Sequence, residues 1–511
     1  MPHLSVTAAE TPSKPAFIMA NSGEMVTYKE LDERSNQVAQ LLRLCGVNRG
    51  DHIAMMLTNC RQFLEIVAGA MRAGVIFTPI STHLKQDETA YILDNCGAKL
   101  FVASGSLSEV ATEMVKLAPN VNKFYMLGTL ADGFESWEEA VDLMPTTPID
   151  DQAMGVPMLY SSGTTGKPKG VLVPPSKQDI NDPYSLTPTI GVAFGFGPET
   201  TYLSPAPLYH AAPLHYNLVV LDTGGTSIIM EKFDPERALA LIEEHRVTHS
   251  QWVPIMFVRM LKLPEAVRAQ YDVSSMQLAI HAAAPCPIDV KEQMIAWWGP
   301  VIMEYYSSSE AAGFTIIDSN TWLSHKGSVG KPLFGVPHVC DDDGNELAAG
   351  EVGTIWFSDL PNKFSYYNEP EKTAEAYNHQ GWSTCGDMGY LDEEGFLYLT
   401  DRKNFTIISG GVNVYPAEIE NVLIGHEKVA DVAVFGIPHE EFGEAVHAVV
   451  EPINPADATD ETAIELIEWL RERLSHIKIP KALEFVEKLP RMDNGKLYKR
   501  HLMEAYKNRE G

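Results

Sequence analysis

The stretch that decides the reading is Tyr160–Gly170, YSSGTTGKPKG. Ser161, Ser162, Thr164 and Thr165 supply hydroxyls, while Gly163, Gly166 and Gly170 leave room for close backbone approach. Lys167 and Lys169 add positive charge. Successive N–H groups of such a backbone form an anion-binding nest, so the segment reads as a phosphate cradle. Composition alone would equally describe a flexible surface loop. The flanking runs decide against that: MLY before it and GVLV after it read as strands, so the loop is short and held at both ends. It is not a GxxxxGK[ST] loop, because the spacing fails and Pro168 follows Lys167 where Ser or Thr would open a helix.

Working outward, the first 150 residues alternate helical and strand patterns. Helices are expected over 27–44, with Thr27 as a cap, and over 63–73 and 87–95; strands over 51–57, 75–80 and 99–103. The alternation returns between 201 and 306, with a helix over 239–245 and strands over 249–253 and 279–282. Such alternation predicts an α/β fold with parallel sheets covered by helices. A β-rich layer is expected over 350–357 and 388–400, with a hairpin turn at Asp392–Gly395. Beyond residue 404 the pattern is α+β: helices over 416–424 and 460–474, strands over 429–434 and 445–450. The expected division is a large unit over 1–400, built from stacked mixed and parallel sheets plus the β-rich subdomain, and a small C-terminal unit over 405–511.

The 511 residues carry 39 basic and 68 acidic side chains, a net charge of −29. A field of that sign disfavours nucleic-acid and anionic-membrane partners. It also requires any polyanionic substrate to meet local cations and backbone N–H groups. Six scattered cysteines form no CxxC and no zinc-spaced cluster, which suits reduced thiols in the cytoplasm. The N-terminus has no signal-peptide pattern, and no apolar run reaches the ~18 residues of a membrane span.

With the other motifs in place, YSSGTTGKPKG resembles the phosphate-loop signature of the adenylate-forming superfamily of acyl-CoA synthetases, adenylation domains and firefly-type luciferases. The resemblance extends from about Val26 to Leu502. It implies that Lys169 acts on phosphate charge along with the loop residues. In YSSSE, Tyr306–Glu310, it implies that Tyr306 stacks on adenine, Ser309 bonds the α-phosphate and Glu310 helps hold Mg²⁺, with Glu304 and Tyr305 beside them. An acidic group among phosphates needs a cation between them. Ala283 and Ala284, in AAAPCP, stand where the family has a glycine-rich adenine wall. In GWSTCGDMGY, Asp387 would accept bonds from the ribose hydroxyls, and Cys385 reads as a packing residue.

In DRKNFTIISGG, the resemblance makes Arg402 a ribose or phosphate ligand, residues 401–404 a hinge centred on Asn404, and Gly410–Gly411 the wall for the pantetheine arm of CoA. Lys496, in DNGKLYK, matches the family's catalytic lysine, carried on a mobile small domain. His210 falls between nucleotide and acyl pocket, and is read equally as a wall residue. Ala211, Ala212, Trp252, Ala282 and Ala311 are expected to line that pocket, which reads as apolar and alanine-rich. The expected activity is ligation of a hydrophobic carboxylic acid, fatty, aryl or polycyclic, to CoA with ATP and Mg²⁺. The rivals are an enzyme loading a carrier protein, a luciferase-type oxygenase and a non-catalytic binding homologue. A homo-oligomer is compatible with all of them.

Overall fold

The computed structural model describes residues 4–161, 168–173, 179–402, 405–409, 412–439, 442–491, 497, 499, 502–503 and 506, with only the backbone of Arg402. Thr27 starts the helix Tyr28–Leu44 with a capping box. Its hydroxyl accepts from the Glu30 N–H while Glu30 Oε2 accepts from the Thr27 N–H at 2.8 Å, satisfying two donors that a helix start leaves open. This helix and the next, Arg61–Arg72, pack closely where Gly69 meets Val38. The buried Arg72 guanidinium locks the pair by binding the Asp32 carboxylate and the Asn36 amide oxygen.

Two sheets fill the large unit. One is a six-stranded sheet, parallel throughout, built around His52–Met56, whose five residues are all buried. Burial on both faces is what parallel sheets between helices require. The other runs through thirteen strands. Its parallel part contains Pro15–Met19, Thr226–Ile229, Thr201–Ser204, His249–Trp252, Leu278–His281 and Ile302–Ser307. It then turns antiparallel through Phe314–Asp318 and Ser328–Phe334 into the β-rich layer. There Asp387–Leu391 and Leu397–Arg402 form the hairpin read from the sequence, with Gly395 left-handed at φ 80°. The N-terminal strands Pro15–Met19 and Met25–Thr27 at the sheet edge were not read from the sequence.

A third sheet has only three strands, Leu159–Ser161, Lys169–Leu172 and Ser365–Tyr366. It holds the two ends of the phosphate-cradle stretch. After Arg402 the chain enters a separate five-stranded sheet dominated by the antiparallel pair Val429–His439 and Gly443–Pro452. Helices Pro416–Ile424 and Asp460–Arg471 cover it. Its contacts with the large unit include the Lys262 ammonium, which donates to the Val429 carbonyl, and the Ala417 N–H, which donates to Asp401 Oδ2 at 3.1 Å. Among the described residues no helix is long and apolar enough to cross a membrane.

A Cβ on Gly69 would lie 2.4 Å from Val38 Cγ1 and 3.0 Å from the Ser35 carbonyl oxygen. Gly69→Ala should therefore cost about 1–3 kcal/mol by overpacking. In a thermal melt it should lower the midpoint by several degrees, and an unchanged midpoint would show that the two helices are not held this closely.

Candidate active site

The strands Leu159–Ser161 and Lys169–Leu172 are antiparallel, with Ser161 opposite Lys169 and Tyr160 opposite Gly170. The chain leaves and re-enters this pair at one point, so the cradle's two ends are fixed together. Ser162, Gly163, Thr164, Thr165, Gly166 and Lys167 lie outside the described residues. On the third strand, Tyr366 stands opposite Val171. The Lys169 ammonium sits 4.6 Å from the centre of the Tyr366 ring, within cation–π range. The Tyr366 hydroxyl donates to Glu310 Oε1 at 3.1 Å. Burial, and then the Glu310 charge, push the phenol's pKa up, so it stays a donor. Sequence reasoning missed Tyr366; nothing in FSYY marks it, since its role comes only from partners far away in the chain.

Glu310 rides on the turn between Ile302–Ser307 and Phe314–Asp318, strands that pair with Ser307 opposite Phe314. The turn is tied by the Ser307 hydroxyl to the Gly313 carbonyl (2.8 Å) and by the Cys385 thiol to the Ser308 hydroxyl (3.1 Å). Cys385 is thus a tether from the neighbouring layer, in keeping with a packing role. Ala311 takes a left-handed φ of 51° here, and Ala283 takes 76° in the turn after Leu278–His281. Alanine pays a backbone cost in that region that glycine does not. The Ala283 turn holds its shape without glycine, whereas the Glu310 turn keeps Gly313 left-handed at φ 92°.

Tyr306 reaches across to the β-rich layer, where its hydroxyl donates to Asp387 Oδ2 at 2.7 Å. Asp387 opens its strand directly opposite Arg402, so two residues expected at the ribose are cross-strand neighbours. Glu304 is differently engaged. Its carboxylate accepts from the buried Lys291 ammonium at 2.6 Å, with His281 Nε2 3.7 Å away. Burial and then the Lys291 charge keep His281 neutral. The pair fixes Ile288–Trp298 against the sheet, and removing one partner of such a buried pair is strongly destabilising.

Lys169, Tyr366, Glu310, Cys385, Tyr306, Asp387 and Glu304 all border one cavity of about 1660 Å³. Ser161, Lys169, Ser309, Glu310 and Asp387 line one region of it, with Ala283, Ala284 and Tyr306. His210 caps the helix Ala211–Asp222 at its start, its ring 4.4 Å from that of Tyr209, and Ala211, Ala212, Ala282 and Ala311 line the wall. Trp252 does not. It is fully buried on the far face of the sheet against Trp298 and Phe257, and its indole N–H donates to Ser250. Strand side chains alternate, so Gln251 and Val253 face the cavity instead. The expected alanine-rich pocket is also more aromatic: Tyr184, Tyr216, Tyr305, Phe314 and Phe334 line it, residues too scattered in the chain to be grouped by sequence.

The small unit closes the cavity's outer side with Tyr415, Glu418, Asn421, Leu497 and Lys499. Lys499 is paired with Glu420 at 2.7 Å. Lys496, Asn404 and Gly410–Gly411 lie outside the described residues, as does the Arg402 side chain.

Hydroxyls, a lysine and carboxylates thus line one cavity, beside the two ends of the YSSGTTGKPKG stretch. Comparison makes the class specific. Residues 4–367 match the AMP-binding enzyme family and residues 418–496 match the AMP-binding enzyme C-terminal domain. The chain belongs to this family, the adenylate-forming superfamily, in its acyl-CoA synthetase branch. It is similar to the long-chain-fatty-acid–CoA ligase FadD13 of Mycobacterium tuberculosis, 32% identical over 98% of this chain and 97% of the relative. It is 33% identical to a feruloyl-CoA synthase of Amycolatopsis sp over 95% of each chain. Among solved structures, o-succinylbenzoate CoA synthetase from Bacillus subtilis, in complex with its acyl-adenylate intermediate, superposes with a TM-score of 0.81 at 27% identity, covering 98% of both chains.

Tyr366→Phe tests the junction of Lys169 and Glu310. It removes one bond to a charged acceptor, worth roughly 1.5–3 kcal/mol. Acid-dependent pyrophosphate release should fall about ten- to a hundredfold, with the thermal midpoint nearly unchanged. Full activity would remove Tyr366 from the account.

Proposed function

We propose that this enzyme ligates a hydrophobic carboxylic acid to coenzyme A through an acyl-adenylate, with ATP giving AMP and pyrophosphate. The observation that carries the reading is the convergence of Ser161, Lys169, Glu310 and Asp387 on one cavity whose inner wall is apolar and aromatic. The two named ligases of similar sequence act on a long-chain fatty acid and on ferulate, both hydrophobic acids activated at the carboxyl group.

A carboxylate cannot be attacked directly, since oxide would have to leave. Its oxygen therefore attacks the α-phosphorus, and pyrophosphate departs. Both reactants are anions, so the protein's task is charge neutralisation and alignment. In this reading Ser161 and the cradle bond the phosphates and Lys169 takes up pyrophosphate charge. Ser309 bonds the α-phosphate, Tyr306 covers the adenine, and Asp387 and Arg402 hold the ribose. Glu310 is a lone, nearly buried carboxylate with one oxygen engaged by Tyr366. No group of three or more metal-ligating side chains is found among the described residues. That donor set suits a Mg²⁺ shared with the substrate's phosphates, which would supply Lewis-acid neutralisation of their charge.

The second step is attack by the CoA thiolate on the acyl carbonyl, releasing AMP. Rotation of the small domain, 405–511, about Asn404 would withdraw Lys496 and bring Gly410–Gly411 to the cavity. Leu497 and Lys499 on the cavity wall support the placing of Lys496 at the adenylating site. The cytoplasm, where six free thiols stay reduced, is part of this reading.

The experiment separates the half-reactions. Lys496→Ala should lower pyrophosphate release ~10²–10³-fold or more, as loss of an aligned charge does. It should leave thioester formation from supplied acyl-AMP near the native rate. Native-rate adenylation by the variant would refute the role given to Lys496. Asp387→Ala should raise the KM for ATP about tenfold to a few hundredfold without changing which acid is preferred. It should also lose most of the native discrimination against 2′,3′-dideoxy-ATP, and equal rejection by both proteins would make Asp387 structural only.

A further inference from the structure

The part of the cavity lined by Tyr216, Tyr305, Phe314 and Phe334 is not simply apolar. The rings of Tyr305 and Phe314 stack 4.8 Å apart and within 4° of parallel. Phe334 packs on Phe314 at 5.5 Å, and Phe194 stacks behind Tyr216 at 6.2 Å. Set into this aromatic wall is a polar pair. The Tyr184 hydroxyl is hydrogen-bonded to His215 Nδ1, and the two rings stack at 6.0 Å. Both residues line the cavity.

Several features separate this pair from an ordinary core hydrogen bond. Tyr184 is held by its backbone, through an N–H bond to Asp222 Oδ2 at 3.2 Å, which leaves its hydroxyl to the pair. The segment after it, Thr187–Gly191, is a π-helix whose Ile190 also lines the cavity. Such wide turns occur mostly where a site needs a side chain re-aimed. His215 is enclosed by protein yet keeps solvent-accessible surface, and the surface lies on the cavity. Burial pushes its pKa down to about 4, so the ring is neutral at physiological pH. A neutral ring paired through Nδ1 has Nε2 left for a further partner, and an uncharged one avoids burying an ionised group that nothing in the pair balances.

The helix geometry fixes the scale. His215 lies five residues past His210 at the helix start, and so about 7.5 Å further along the axis. That is on the order of the span from the carboxyl carbon of an aryl acid to a substituent on the far side of its ring. A flexible alkyl tail would fill the same depth but leave the pair without a partner and stripped of water, which costs affinity.

We propose that Tyr184 and His215 are specificity-determining residues that read an uncharged hydrogen-bonding substituent, a ring hydroxyl or its equivalent, on a flat aromatic acid. The inference rests on the activity proposed above. The stacked Tyr305–Phe314 wall takes the ring face, and the pair takes the polar edge. Sites built to bond a hydroxyl reject the analogue lacking it far more strongly than apolar pockets reject a missing methylene.

The test measures acid-dependent pyrophosphate release with benzoate, cinnamate, their singly hydroxylated isomers and octanoate. For the native enzyme, at least one hydroxylated acid should exceed its unsubstituted parent by about ten- to a hundredfold in kcat/KM. Tyr184→Phe, which removes one oxygen and keeps the shape, should bring that ratio to within about threefold of one. The ratio is the readout, because a change common to both acids cancels in it. His215→Phe should act the same way, with a thermal melt to confirm folding. A native ratio near one, a ratio that survives Tyr184→Phe, or octanoate as the best acid would each overturn the proposal. The octanoate result would leave the proposed ligase activity standing, whereas no acid-dependent release with any compound would defeat both.

Discussion

Three distant segments of chain meet at one phenol ring. Lys169 lies over the face of Tyr366, and Glu310 accepts from its hydroxyl. This contact places a cation and an anion in one half-buried corner without letting them collapse into a direct ion pair. It matters because the chain carries a net charge of −29 and its substrates are polyanions. A lysine neutralised by its own glutamate would offer little to a phosphate. Held apart by the ring, each charge keeps capacity for a ligand, and the three-stranded sheet beneath keeps the geometry rigid. Preorganisation of this kind is where most electrostatic catalysis originates.

The rest of the architecture follows from holding that corner against the other walls. The thirteen-stranded sheet brings Tyr306 and the Glu310 turn to the same edge, and the β-rich layer delivers Asp387 to the Tyr306 hydroxyl. The Lys291–Glu304 pair anchors the helix that follows the turn at Ala283 and Ala284. Contacts such as Ala417 to Asp401 and Lys262 to Val429 hold the small unit over the opening. Few of these contacts are large, which suits a unit expected to rotate between two reactions.

Much of this was legible in the sequence where the signal is local. Thr27 announces a helix start, and the Asp392–Gly395 turn announces its hairpin. The small unit's helix Pro416–Ile424 is marked by its proline at the start. Its long strand was read only to Val434, because Gly436 and Pro438 look like punctuation; pairing with Gly443–Pro452 carries it to His439. Trp252 shows the opposite failure. Its hydrophobicity suggested a pocket wall, but strand alternation turns it into the core and leaves Gln251 facing the cavity. The aromatic wall of the cavity was out of reach for a different reason. Tyr184, Tyr216, Tyr305 and Phe334 come from separate elements, and only the closed fold sets them side by side.

The central claim is that the acid's own oxygen becomes bonded to the α-phosphorus. The most direct measurement is to supply a substrate acid labelled with ¹⁸O in both carboxylate positions and weigh the products by mass spectrometry. Passage through an acyl-adenylate leaves one ¹⁸O in each AMP released and none in pyrophosphate. Label in inorganic phosphate, with ADP as the nucleotide product, or AMP without label, would contradict the account.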